Sequence, residues 1–307
     1  MLKRNVVVAT IAAIAIAIAL AAHATPREAD ESGGDQLRPA RLRNLYKSEF
    51  AILRKEGEQV RPAGMGFVIR QSPLAIMTCY HVVSEGNESN VGSIVYFIAR
   101  RPDDGFEPNL TAKKTLVGLH AKRLVFKPEY DLAILEIDPT EDPETASKLE
   151  LADSKPLTLN FESAQRALGT EVMWLTTAAR VTEGSGVVYA PRVFFGNISA
   201  SYTTNHSYNV RTPAGVWKAV AMPSIRMYEV DKVFVPGASG SPIVNAATGE
   251  VVGYVHGLHS IEIPSDTELR LALGLLRSPI PMITPVSLGV DVRSSENYLK
   301  ESGYVPK

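Results

Sequence analysis

Three short stretches carry residue types that could do chemistry together: Gly237-Ala238-Ser239-Gly240-Ser241-Pro242, Thr78-Cys79-Tyr80-His81-Val82-Val83 and Tyr130-Asp131-Leu132-Ala133-Ile134-Leu135. A serine hydroxyl is a weak nucleophile, so it needs a neighbouring base and donors for the oxyanion it creates. Glycines around Ser239 let the loop fold so that the backbone amides of Gly237 and Ser239 point to one spot. His81 follows directly on an apolar run, from which an imidazole can enter a cleft while its backbone stays fixed. Asp131 opens another apolar run, where an acid must be hydrogen-bonded or exposed. Each feature alone has an ordinary structural meaning: a glycine–serine turn, a packed or surface histidine, an aspartate that starts a strand. As a set they offer a nucleophile, a base and an acid to orient the base.

Cys79, two residues before His81, is the only cysteine, so no intramolecular disulfide can form and a well-built core must hold the fold. It invites a cysteine-nucleophile reading, but a small buried residue at a strand end suits it better. His120, His206 and His259 have no metal-ligand spacing and read as surface residues; no metal or other cofactor is expected.

The elements that must position these residues are short apolar runs broken by turns. In the first half they are Phe50–Arg54, Gly66–Arg70, Leu74–Thr78, Ile94–Ala99, Lys122–Phe126 and Leu132–Ile137. In the second they are Glu171–Leu175, Gly186–Tyr189, Val193–Ser199, Ser224–Val230, Ile243–Asn245, Val251–His256 and Met282–Val286. Such runs, rich in Val and Ile with frequent Gly and Pro, indicate an all-β chain. Polar residues 141–156 read as a linker between a first β-module (46–140) and a second (157–307), which ends in a short helix near Ser294–Ser302.

Residues 1–24 read as a signal peptide: Lys3 and Arg4, an apolar stretch from Val6 to Ala22, then Ala22-His23-Ala24 for cleavage, with an uncleaved anchor as the alternative. Residues 25–45 read as a flexible leader, with a partly helical segment from Ala40 to Lys47. The chain is therefore expected to be exported, to the periplasm or beyond, with no other contact with a membrane. A net charge of −1 gives no electrostatic reason for nucleic acid to bind.

The ordered motifs Gly64-Met65-Gly66-Phe67-Val68, Thr78 to Val83, Asp131-Leu132-Ala133-Ile134-Leu135 and Gly237 to Pro242 closely resemble chymotrypsin-fold serine proteases, especially bacterial protease domains of the Deg/HtrA type. Leu151-Ala152-Asp153-Ser154, Leu168-Gly169-Thr170-Glu171-Val172 and Gly196-Asn197-Ile198-Ser199-Ala200 extend the resemblance from about Phe50 to Ser294. It implies two six-stranded antiparallel barrels with His81 and Asp131 from the first and Ser239 from the second. It implies a serine endopeptidase acting on protein or peptide substrates, with Ser239 as nucleophile, His81 as base, Asp131 as orienting acid and the Gly237 and Ser239 amides as oxyanion hole. By the same resemblance Val233 should lie near the base of the pocket for the substrate side chain, and His256 on a pocket wall. Ala238 stands where digestive members have an acid, so activation by a freed N-terminus is not expected. Asp231 matches an aspartate of the bacterial members, and a PDZ domain after Ser239 is not expected. Two other readings compete: a catalytically silent binding module, and an esterase, against which the histidine coming before the serine argues.

Overall fold

The computed structural model describes residues 37–56, 59–84, 94–99, 119–162, 168–176, 180–183, 186–189, 192–211, 216–235, 237–263 and 282–306. The chain divides into two compact units, Met1–Ala40 and Arg41–Lys307. In the first only the start of a helix, residues 37–40, is described, so the expected signal peptide lies outside the described residues. Among those residues no helix is long and apolar enough to cross a membrane.

The strands are β1 (Glu49–Glu56), β2 (Gln59–Gln71), β3 (Leu74–Cys79), β4 (Ile94–Ala99), β5 (Leu119–His120), β6 (Arg123–Lys127), β7 (Leu132–Ile137), β8 (Glu171–Thr176), β9 (Arg180–Glu183), β10 (Gly186–Tyr189), β11 (Arg192–Arg211), β12 (Trp217–Val230), β13 (Pro242–Asn245), β14 (Val251–Ile263) and β15 (Met282–Asp291). The helices are α1 (Leu37–Ser48), α2 (Tyr80–Val83), α3 (Pro143–Lys148) and α4 (Glu296–Glu301). The chain is all-β, and among the described residues every pair of these strands is antiparallel.

The second module is the expected six-stranded barrel, closed in the order β11-β12-β15-β14-β13-β8. The first is a seven-stranded sheet, β5-β4-β1-β2-β3-β7-β6. Its edge strands β5 and β6 are consecutive in the chain, with only Ala121 and Lys122 between them. The Lys122 amide still bonds Glu136 O at 2.9 Å, continuing the β6–β7 ladder. Strands β5 and β6 are thus one bent strand whose halves pair with opposite edges, and through it the first sheet closes as a six-stranded barrel.

Apolar burial on both faces explains the central strands. All six residues of β3 are buried, because one face fills the first barrel while the other meets β14 of the second. One core cluster runs across both modules, including Ile52, Phe67, Ile76, Leu132, Tyr254 and Val290. A second, with Trp174, Tyr228, Phe234 and Val252, fills the second barrel.

Helix formation begins at Leu37, inside the stretch expected to be flexible leader to residue 45. Leu42, Leu45 and Tyr46 fall on one helical face, Leu45 is 1% exposed, and Arg41 Nη1 donates to Ala246 O at 2.6 Å. The expected linker contains α3, whose first turn is capped by Asp142 Oδ1 accepting from the Thr145 amide at 2.9 Å. The C-terminal helix α4 follows a 3-10 turn, and Tyr304 beyond it ties back to the first barrel. Its hydroxyl donates to Glu136 Oε1 at 2.7 Å, and the Arg70 guanidinium sits 4.6 Å over its ring.

Candidate active site

Asp131 is placed by its backbone before its side chain acts. It ends a 3-10 turn, Pro128–Tyr130, in the left-handed conformation (φ 49°, ψ 42°), its amide bonded to Pro128 O at 2.9 Å. An aspartate tolerates that conformation better than the branched residues that follow it. The turn is also held from the second barrel: Tyr208 of β11 donates its hydroxyl to Pro128 O at 2.8 Å, and Tyr254 of β14 donates to Tyr130 O.

From this position Asp131, fully buried, organises the histidine. Its backbone carbonyl accepts from the Tyr80 amide at 3.0 Å, which starts α2. Its Oδ1 accepts from the His81 amide at 2.9 Å, and its Oδ2 faces His81 Nδ1 at 2.8 Å. Burial pushes the Asp131 carboxyl upward, but His81 and His256 offset this by charge and hydrogen bonds and hold it well below the usual carboxylate range. Burial lowers the His81 imidazole, and the Asp131 carboxylate outweighs it, leaving His81 raised above the ordinary 6.5.

The serine loop crosses from the second barrel. Gly237 and Gly240 both have positive φ (91° and 88°), and a Cβ on Gly240 would collide with Met65 O and Thr78 Oγ1. Thr78 Oγ1 instead donates to Met65 O at 2.6 Å, and the Met65 amide donates to Ser239 O at 2.8 Å, binding the loop to β2 and β3. The Gly240 amide donates to Val255 O at 2.9 Å, and Ser241 Oγ to Leu175 O at 2.7 Å. Among the described residues neither the Gly237 nor the Ser239 amide donates to a protein acceptor.

The Ser239 hydroxyl donates to His256 O at 3.4 Å, and among the described residues it makes no hydrogen bond with His81. The expected base–nucleophile bond is therefore not formed in this rotamer. Catalytic hydrogen bonds in ligand-free sites are often long or misaligned.

His256 corrects the sequence reading in another way. Its ring is turned inward and not toward solvent: it is 8% exposed, and Nδ1 meets Asp131 Oδ2 at 2.7 Å. The β14–β15 register slips between Val255 and Gly257, so His256 is the bulge residue, and a bulge re-aims a side chain. His206, read as a surface residue, joins it with Nε2 3.3 Å from His256 Nε2. It too follows a register shift, between Thr204 and His206 in the β11–β12 pairing. Neither bulge has a local sequence signal. Val233 is 51% exposed and so does not floor a closed pocket. Asp231 accepts from the Asn197 amide and from Asn197 Nδ2 at 2.7 and 3.0 Å, a clasp at the second barrel's end.

Cys79 Sγ, a His81 ring nitrogen and an Asp131 oxygen lie within 4.8 Å of one another, close enough for three metal ligands. Burial, then the Asp131 charge, pushes the Cys79 thiol well above its usual range. It is protonated and donates to Val255 O at 3.2 Å, so it is a poor ligand and a poor nucleophile. Both Asp131 oxygens are occupied. The three residues do not fit a metal centre.

The sequence matches the trypsin-like peptidase domain family over residues 64–253. No curated protein matches it. Among solved structures the chain is similar to Deg5, with 18% identity over 74% of this chain and 88% of that one and a TM-score of 0.48. It is similar to the Rv3671c protease from M. tuberculosis in its active form, with 18% identity, 90% and 88% coverage and a TM-score of 0.49. For the MamO protease domain from Magnetospirillum magneticum, apo form, the values are 15%, 84%, 98% and 0.47. The family match reaches into both barrels and takes in all three candidate residues, and the chain belongs to the trypsin-like peptidase domain family.

Proposed function

We propose that the protein is an exported serine endopeptidase with Ser239, His81 and Asp131 as its triad. The observation that carries this is the buried Asp131 carboxylate holding both the amide and Nδ1 of His81. A carboxylate only accepts, so Nδ1 carries the proton and Nε2 keeps its lone pair, the state a general base requires. For catalysis the Ser239 hydroxyl must turn from His256 O to His81 Nε2. Ser239 Oγ then attacks the substrate carbonyl, and the Gly237 and Ser239 amides receive the oxyanion. His81 returns the proton to the leaving amine, and water releases the acyl group by the same path. Substrates are proteins or peptides, and the chemistry calls for no cofactor.

The Ser239–His256 bond is what a catalytically silent binding module would also show. One experiment separates the two. A fluorophosphonate probe should label the wild-type protein and not Ser239→Ala, with loss of casein or peptide hydrolysis in step. Absence of Ser239-dependent labelling would refute catalysis.

A further inference from the structure

We propose that His256 is a positioning residue of the catalytic apparatus, a second histidine on Asp131 that is itself oriented by His206. The assignment rests on the peptidase reading above.

Asp131 Oδ2 takes two imidazoles, His81 Nδ1 at 2.8 Å and His256 Nδ1 at 2.7 Å. An ionised carboxylate has no proton to give, so both rings carry hydrogen on Nδ1. In the tautomer with hydrogen on Nδ1 alone, His256 has a bare Nε2, which can only accept, and the 3.3 Å contact with His206 Nε2 then has His206 as donor. A linear chain results: His206 Nε2–H to His256 Nε2, His256 Nδ1–H to Asp131 Oδ2, and Oδ2 to His81 Nδ1–H. Around it the Tyr208 ring stands edge-on to both His81 and His256, with centroids at 6.1 and 5.4 Å, buried Cys79 has its Sγ within 4.8 Å of the His81 and Asp131 polar atoms, and buried Tyr254 bonds Tyr130 O. The His206–His256 pair belongs to no group of three metal-ligating side chains among the described residues, so a hydrogen bond explains the contact better than a missing ion.

Two consequences follow for the same carboxylate. His256 fixes the direction of Oδ2, and hence the plane of His81. It also shares the negative charge that would otherwise act on His81 alone, which makes His81 a weaker base than a single-partner triad would have. The His256 carbonyl holds the resting Ser239 hydroxyl as well, so one bulge residue touches both ends of the triad.

The test uses the whole protein. Nitrogen-15 histidine labelling and proton NMR of the wild type should show two low-field imidazole protons bonded to a carboxylate, one lost in His81→Ala and the other in His256→Ala. His256→Ala should lower kcat by about tenfold or more with KM unchanged, and shift the acid limb of kcat/KM to higher pH as Asp131 attracts His81 alone. His256→Gln keeps an N–H donor and should recover part of kcat and most of the shift. A single low-field proton in the wild type overturns the assignment whether or not the variants fold. A raised KM with unchanged kcat overturns it too, and makes His256 a substrate contact. Wild type with both protons but no Ser239-dependent hydrolysis would instead sink the peptidase reading.

Discussion

Replacing Asp131 by asparagine keeps the volume and removes one acceptor. Oδ1 accepts from the His81 amide, a bond that asparagine can preserve only by keeping its carbonyl there. Its Nδ2 then faces both rings where Oδ2 stood, 2.8 Å from His81 and 2.7 Å from His256. An amide nitrogen donates, so both rings must present bare Nδ1 and carry hydrogen on Nε2. His81 then offers Ser239 a proton instead of a lone pair. The expected loss in kcat is about 10⁴-fold, the scale known for this change in a related triad, or about 5 kcal/mol of barrier. The reversed tautomer of His256 also sets its Nε2–H against that of His206, and one of the two rings must turn. The assay is steady-state hydrolysis of a peptide ester or amide, alongside thermal unfolding to show that the variant folds. A folded Asp131→Asn enzyme within tenfold of the wild-type kcat would refute the tautomer argument and with it the role given to Asp131.

Ser239→Ala and His81→Ala should each lower kcat by about 10⁶-fold, and the double variant should be scarcely worse, as residues acting as one unit are not additive; purified single variants near wild-type rates would contradict this. His81 must be neutral to act and is raised above 6.5, so kcat/KM should climb as pH rises through a midpoint above that value; a midpoint below it would show that Asp131 does not govern the base. Gly240→Ala places a Cβ against Met65 O and Thr78 Oγ1 at positive φ, and should abolish activity and cost about 1–3 kcal/mol or more of stability, read by denaturant unfolding. Glu49 is buried and both its oxygens lack a partner among the described residues, since Ser241 spends its hydroxyl on Leu175 O. Burial raises its carboxyl, so the folded state binds this proton more tightly and stability falls as pH rises above the unfolded value. Glu49→Leu should therefore stabilise the protein by about 1–3 kcal/mol near neutral pH, with the gain narrowing toward pH 4.

The barrels and the three candidate residues were legible because their signals are local: apolar runs of strand length, glycines beside a serine, a histidine and an aspartate at strand ends. The β11–β12 ribbon was read far too short, as Val193–Ser199 and Ser224–Val230. Its outer half, through Thr203-Thr204-Asn205-His206-Ser207, is largely exposed and lacks the apolar alternation on which strand reading depends. His256 was misplaced for a related reason. Alternation tells inside from outside only where the register is unbroken, and a bulge at that residue breaks it. Nothing near His206 or Tyr208 indicates that they meet His256 and Pro128 O beside Asp131, because those partners lie far away in the chain, on β14 and on the 3-10 turn of the other barrel.

The tie from Tyr304 to Glu136 and Arg70 acquires a meaning in time when the chain is considered as it is made. Synthesis proceeds from the N-terminus, so His81 and Asp131 emerge first, Ser239 later and Tyr304 later still. Until Tyr304 is out, this tie to the first barrel is missing, and the seam where the Pro128–Tyr130 turn meets Tyr208 and Tyr254 is held by fewer bonds. A chain stalled just short of Tyr304 would carry every reacting group and still be slow to assemble them. Following the appearance of activity in Tyr304→Ala after dilution from denaturant tests this: an unchanged rate would mean that the tie sets no clock.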